Sequence, residues 1–194
     1  MTRSDQSAKF YQGKPRLDPP PDADFWVFAY GSLIWRPGFP HLEVKRGLLR
    51  GYHRRFCVYS HTYRGTPDRP GLVLGLDRGG SCHGLVYRVP AAEGEWVMDY
   101  LHDREMVLGV YDPRWLAVDT DDGRVMAAGF VVDPGHPQYA GDISRAEMVR
   151  LIRQGEGRGG PCVDYLRNTV AHLDALDMHD HTLHELLREV DGAT

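Results

Sequence analysis

Phe25-Trp-Val-Phe-Ala-Tyr-Gly-Ser-Leu-Ile-Trp-Arg36 is the stretch from which the rest of this chain is read. It opens as a dense run of aromatic and β-branched residues, the composition of a buried strand. The run breaks at Gly31-Ser32, where a residue without a Cβ moves freely into unusual backbone angles. A buried strand that opens into a glycine turn brings backbone N–H groups to the edge of the core, and such groups hold an anion or an oxyanion well. A core strand followed by an ordinary turn has the same local sequence, because a single glycine does not separate the two.

Working outward, residues 1–24 are polar and proline-rich and end in Leu17-Asp-Pro-Pro-Pro-Asp-Ala-Asp24. Consecutive prolines favour an extended arm and cannot enter a central strand. This segment is expected to be a flexible lead-in, with the folded domain over residues 25–194. Arg36-Pro-Gly-Phe-Pro40 reads as a turn. Gly47 to Ser60 alternates polar and apolar residues, as a half-buried strand does. His61 to Gly71 is a loop whose Arg64 and Arg69 either meet an anionic ligand or are solvated. Leu72–Asp77 and Cys82–Val89 predict two short strands joined by a hairpin at Asp77-Arg-Gly-Gly-Ser81. Pro90 ends the second, and a helix is expected from about Ala91, packing Trp96, Val97, Tyr100 and Leu101 on the sheet.

Strands over Arg114–Asp119 and Val125–Val132 flank a second hairpin signal, Asp121-Asp-Gly123. Ser144-Arg-Ala-Glu147 has the spacing of a capping box, so a helix is expected from about Arg145 to Gln154, with Gly155 as its C-terminal cap. Glu156 to Pro161 reads as a flexible connection. Val163, Leu166, Val170, Leu173 and Leu176 mark a longer amphipathic helix, and Leu183, Leu186, Leu187 and Val190 a last one. Strands come first and helices close the chain, which predicts an α+β fold with a largely antiparallel sheet able to curl into a small barrel.

The 194 residues suffice for one domain with a sizeable core, and 42% hydrophobic with 26% charged residues is ordinary for a globular protein. A net charge of −4 without a basic block argues against a nucleic-acid or anionic-membrane partner. No apolar run approaches the roughly 18 residues that cross a bilayer, and the N-terminus lacks the apolar core of a secretion signal. Cys57, Cys82 and Cys162 are far apart and odd in number, so neither a disulfide framework nor a cysteine zinc site is expected. The chain reads as cytosolic.

Three groups of residues are candidates for chemistry. Glu105 lies four residues after Leu101 and seven after Met98, sharing a helix flank with apolar residues. A carboxylate at the margin of a buried face is desolvated, which raises its pKa and makes it a better proton acceptor once ionised. Arg104 falls nearer the centre of the apolar stripe, and by spacing alone both residues are equally helix-end charges in ion pairs. His172, His179, His181 and His184 have the flavour of a metal cluster. A zinc site, however, usually shows a clearer pair on a firm element, so solvated histidines at a helix start are the reading and no metal is expected. Ser32 lacks the second glycine of a Gly-x-Ser-x-Gly elbow, the cysteines show no catalytic signature, and neither nucleotide-binding glycine motif is present.

Trp26-Val-Phe-Ala-Tyr-Gly-Ser-Leu-Ile-Trp35 resembles the signature of the ChaC family, the glutathione-specific gamma-glutamylcyclotransferases. Gly51-Tyr-His-Arg-Arg-Phe56, Tyr63-Arg-Gly-Thr-Pro67, Arg69-Pro-Gly71, Gly84-Leu-Val-Tyr-Arg-Val89 and Tyr100-Leu-His-Asp-Arg-Glu105 resemble further family segments in the family's order. Asp164-Tyr-Leu-Arg-Asn-Thr-Val-Ala-His-Leu173 is similar to its closing helix, so the resemblance covers about residues 25–190. It implies a small mixed β-barrel flanked by helices and the splitting of glutathione into 5-oxoproline and cysteinylglycine, with no metal or organic cofactor. It implies Glu105 as the catalytic proton acceptor and Ala29, Tyr30, Gly31, Ser32, Leu33 and Ile34 as the substrate-binding segment.

There are two departures. Gly159-Gly-Pro-Cys162 stands where the family often has a Gly-x-x-Gly-x-Asn pattern, and Met106-Val-Leu-Gly-Val-Tyr111 is two residues longer than the segment of some relatives. The second leaves open whether Tyr111 has a part in the site.

That chemistry suits this inventory of residues. The γ-glutamyl group carries its own nucleophile, the α-amine, so no catalytic serine or cysteine is needed. A carboxylate that takes a proton from the amine and delivers one to the leaving nitrogen suffices. Holding the chain in its ring-closing conformer is a large share of the task, since oriented intramolecular attack has effective molarities of about 10⁵–10⁸ M. The amides of the Gly31 turn are expected to grip the substrate carboxylate or the developing oxyanion. Gly31→Val is expected to weaken binding, because a β-branched side chain is strained at a turn of special angles. Two rivals remain: a cyclotransferase for another gamma-glutamyl amine or amino acid, and a non-enzymatic ligand sensor or regulator of ion transport.

Overall fold

Five strands supply much of the apolar core: β1 (Phe25–Ala29), β2 (Glu43–Ser60), β3 (Gly71–Val89), β4 (Tyr111–Thr120) and β5 (Gly123–Val132). They close into a barrel in the order β1-β3-β2-β4-β5, with β3 also touching β5. This computed structural model describes Lys14 and residues 16–192. Two compact units are present, one of the residues up to Arg54 with Leu76–His136, the other of Arg55–Gly75 with the residues from Pro137 on.

In the first unit β1 is the hub. It pairs antiparallel with β3, Val27 opposite Tyr87, and parallel with β5, Val27 opposite Ala128. Strands β4 and β5 form the hairpin expected at Asp121-Asp-Gly123, with Thr120 opposite Gly123. Strand β4 starts three residues earlier than its sequence suggests, and Pro113 sits opposite Phe130.

The hairpin expected at Asp77–Ser81 is absent, and β3 runs through it unbroken. Gly79 and Gly80 take φ of 95° and 66°, so they bend one strand instead of reversing it. The two halves find other partners: Leu85–Val89 pair with β1, and Leu76 pairs with β5. The Gly79 carbonyl accepts instead from the His53 ring across the ladder, Nδ1 to O 3.0 Å.

After Pro90 a short 3-10 turn, Ala91–Glu93, leads into α1 (Gly94–Glu105). Val97, Met98 and Leu101 are buried at helical spacing, each burial stabilising by about 1.5–3 kcal/mol, and this fixes where the helix ends. Trp96 departs from its expected inward position. It is 50% exposed and lies flat on Tyr100, ring centroids 5.7 Å apart. Lys14 pairs with Asp112 and Asp133 at 3.0 and 2.8 Å, and Arg16 with Glu95 and Asp99. The rest of the expected flexible lead-in, residues 1–13 and 15, lies outside the described residues.

The second unit carries the helices α2 (Arg145–Gln154), α3 (Cys162–Ala175) and α4 (His181–Asp191). The capping box at Ser144 is half as expected: the Ser144 hydroxyl accepts from the Glu147 amide at 3.2 Å. Gly155 follows α2, but with an ordinary φ of −71°. Glycine is needed there for space, since a Cβ would meet the Arg64 carbonyl at 2.4 Å and the Gly71 Cα at 2.5 Å. The connection expected to be flexible is a small ladder of Glu156–Gly157 against Gly160–Pro161. No helix among the described residues is long and apolar enough to cross a membrane.

Candidate active site

Beyond Ala29 the chain leaves β1 and makes a 3-10 turn over Ser32–Ile34. The Ile34 amide donates to the Gly31 carbonyl and the Arg36 amide to the Ser32 carbonyl, both at 2.9 Å. Side chains from the barrel hold this turn by its carbonyls. Arg54, only 6% exposed, donates from Nε to the Tyr30 carbonyl at 2.5 Å and from a terminal nitrogen to the His83 carbonyl at 2.6 Å. The Tyr87 hydroxyl reaches the Leu33 and Ile34 carbonyls at 3.3 and 2.9 Å. Burial pushes its phenol up to about 12, so it stays a neutral donor. With its carbonyls engaged, the turn keeps the Ser32 and Leu33 amides without an acceptor inside it, as the first residues of any helical turn do.

Gly31 takes φ −132° and ψ −132°, a pair that is neither helical nor extended, though its φ is outside the left-handed region that favours glycine. The glycine that does need its freedom is Gly38, at φ 73°, where a Cβ would stand 2.1 Å from the Tyr100 hydroxyl.

Glu105 is the last residue of α1, with 19% of its side chain exposed. Burial pushes its carboxyl above the ordinary carboxylate range, against the pull of the adjoining Arg104 guanidinium. The negative end of the helix dipole acts in the same direction as burial. Arg104 is the residue that joins the two candidate segments. Its Nε lies 3.2 Å from Glu105 Oε1, and one terminal nitrogen donates to Ser32 Oγ at 2.9 Å. The other donates to the Arg36 carbonyl at 2.6 Å and to the Tyr100 hydroxyl at 2.8 Å. One guanidinium therefore ties the helix-end carboxylate to the turn after β1.

Sequence reasoning missed the parts played by Arg104, Arg54 and Tyr87. For Arg54 the signal was available: it has the same parity in β2 as Phe56 and Val58, both buried, so alternation turns it inward. For Arg104 the signal was its place near the centre of the apolar stripe. Ser32 serves as a hydrogen-bond acceptor for Arg104. Tyr111 begins β4, buried and opposite Val132, after a tight turn that closes between Gly109 and Met106 at 3.0 Å.

In the second unit Arg64 donates to the Gly159 carbonyl and, at 3.1 Å, to the Pro161 carbonyl, with its guanidinium 5.2 Å from the Tyr165 ring. It thus braces the segment that departs from the family pattern. Cys162 in that segment is buried, its thiol pushed up to about 11 by burial.

One guanidinium thus holds a desolvated carboxylate and the turn after β1 together on a small closed barrel, an arrangement that acid–base chemistry can use. A family model described as ChaC-like protein matches residues 25–193, and the chain belongs to that family. It is 39% identical over 172 residues to the glutathione-specific gamma-glutamylcyclotransferase of Escherichia coli (strain K12), covering 88% of this chain and 74% of the relative. The human glutathione-specific gamma-glutamylcyclotransferase 1 is 35% identical over 157 residues, with 78% and 70% covered. The crystal structure of the yeast gamma-glutamyl cyclotransferase specific to glutathione matches with a TM-score of 0.79 at 21% identity, covering 88% of this chain and 97% of that one. The fold is accordingly that of the gamma-glutamylcyclotransferases, a mixed α+β barrel with flanking helices.

Proposed function

We propose that this chain is a gamma-glutamylcyclotransferase that cleaves glutathione to 5-oxoproline and cysteinylglycine, with Glu105 as the proton-transfer group and Ala29–Ile34 as the substrate-binding segment. The observation that carries the site is the Arg104 bridge between Glu105 and Ser32. The E. coli and human relatives bear the name of this activity.

The substrate α-nitrogen attacks its own γ-carbonyl carbon. The new C–N bond closes a five-membered lactam, and the bond to the cysteinyl nitrogen breaks. Starting from the ammonium form, two protons leave the attacking nitrogen and two arrive on the leaving one, so none is consumed. Glu105, ionised but desolvated, takes the first proton and returns one to the leaving nitrogen. The amides of the Ser32–Leu33 turn bind the negative charge that gathers on the carbonyl oxygen or the substrate carboxylate. Arg104 keeps base and turn in register. In this reading residues 25–194 carry the activity, residues 1–24 are its lead-in, and the enzyme works in the cytosol.

The test is purified protein with glutathione and, in parallel, gamma-glutamyl dipeptides, read by mass spectrometry. Glutathione is expected to yield 5-oxoproline and cysteinylglycine in equal amounts. Glu105→Gln is expected to lose turnover while still binding glutathione. Product from the dipeptides alone would move the assignment to another gamma-glutamyl compound, and substantial turnover by Glu105→Gln would remove the role given to that residue.

A further inference from the structure

The histidine-rich segment near the C-terminus takes no part in the reaction above. Four histidines stand out there in the sequence, and the structure selects two of them and adds a carboxylate. Asp174 lies in the last turn of α3, His179 in the connection, and His184 in the first turn of α4. His179 Nδ1 faces Asp174 Oδ1 and His184 Nε2 faces Asp174 Oδ2, each at 3.0 Å. The three ligand atoms lie within 4.8 Å of one another, and this is the one such trio among the described residues.

We propose that Asp174, His179 and His184 form a site for a divalent transition-metal ion of the zinc class.

The first support is the orientation of His184. Its Nδ1 lies 2.8 Å from the Asp180 carbonyl, which can only accept, so Nδ1 carries the hydrogen. Nε2 faces a carboxylate oxygen, a contact made either by a second ring proton, as an imidazolium–carboxylate pair, or by a metal ion that takes the place of that proton. A ligating histidine whose other nitrogen donates to a backbone carbonyl is the usual outer-shell arrangement of metal sites.

The second support is the firmness of the frame. The Asp177 amide donates to the Asp174 carbonyl and the Met178 amide to the Leu173 carbonyl, both at 2.9 Å, and Met178 is buried. The Asp180 side chain caps α4 through the Leu183 amide at 3.1 Å. Asp174 and His184 are thus set on two helices.

The third is reach. Metal–nitrogen and metal–oxygen bonds of about 2.0–2.2 Å in a tetrahedron put ligand atoms about 3.4 Å apart. Both carboxylate–imidazole pairs are already close to that. The remaining separation closes by rotation of His179, whose side chain is 64% exposed. Two nitrogens and one oxygen leave the fourth position to water, and nitrogen with carboxylate ligands suits zinc or cobalt rather than magnesium or calcium.

The test uses the full chain, freed of metal by dialysis against chelator, and Co²⁺ as probe. One equivalent is expected to give visible absorption of tetrahedral Co²⁺, which Zn²⁺ displaces. His184→Gln and Asp174→Asn are each expected to weaken Zn²⁺ binding by about tenfold or more in calorimetry. His179→Ala, at an exposed position that folding does not depend on, is expected to weaken it in the same way. Co²⁺ binding without the tetrahedral spectrum, or affinity unchanged in all three variants, would overturn the site. Release of 5-oxoproline is a separate readout that none of the three variants is expected to alter, so failure here leaves the proposed reaction untouched.

Discussion

Removing the Arg104 guanidinium should disable the site without dismantling the fold. Arg104 donates to the Arg36 carbonyl, the Tyr100 hydroxyl and Ser32 Oγ, and pairs with Glu105. Hydrogen bonds from a charged donor contribute about 1.5–3 kcal/mol each, and a side chain 23% exposed belongs at the low end of that range. Two of the four contacts, those to Ser32 and Glu105, bear on the reacting groups. Losing them together is worth about 3 kcal/mol in the transition state, or about 100-fold in kcat/KM. Arg104→Lys should recover little, because one ammonium cannot span four acceptors set around a planar fork.

The measurement is initial-rate release of 5-oxoproline from glutathione, with kcat and KM resolved across pH. In wild type Arg104 pulls the Glu105 carboxyl down against burial, so its loss moves the acid limb of the rate profile to higher pH. An Arg104→Lys variant with kcat/KM within about twofold of wild type, or an acid limb that stays in place, would refute the bridge as the organiser of the site.

Glu105→Gln should melt higher than wild type at neutral pH. A carboxyl raised by burial contributes stability that is present below its unfolded pKa and lost as pH rises through its folded one, so the gain of the neutral amide should shrink on acidification, as calorimetric scans at several pH values would show. Tyr87→Phe removes the donor shared by the Leu33 and Ile34 carbonyls and should cost about 1–3 kcal/mol in denaturant melts together with a rise in KM. Gly155→Ala should destabilise by about 1–3 kcal/mol in the same melts despite an ordinary φ, because its methyl group collides with the Arg64 carbonyl and the Gly71 backbone.

The features that could be read in advance are those whose partners are close in sequence. The β4–β5 hairpin follows from Asp121-Asp-Gly123, and the start of α2 follows from Ser144 with Glu147 three residues on. Gly79-Gly80 shows the boundary of such reading. Two glycines at positive φ serve a hairpin and a bend in one strand equally well, and only the partners waiting on β1 and β5 decide between them. The same holds at the site. Glu105 could be placed on the flank of its helix by spacing, but the atoms that give it meaning reach Arg104 from residues 32, 36 and 100. Gly31, the most conspicuous residue of the opening stretch, has an unexceptional φ, whereas Gly38, where both a positive φ and a close approach demand glycine, reads in sequence as one more loop residue.

Cys57, Cys82 and Cys162 are all buried, and burial holds the Cys162 thiol far from its reactive, ionised form. A protein that works on glutathione also meets the oxidised disulfide of that tripeptide, which attaches itself to accessible thiolates. With all three cysteine thiols buried, this chain offers that disulfide no exposed thiol to exchange with. Its rate should follow the supply of reduced tripeptide alone, and the oxidation state of the surrounding pool should act on it through substrate concentration rather than through covalent inhibition.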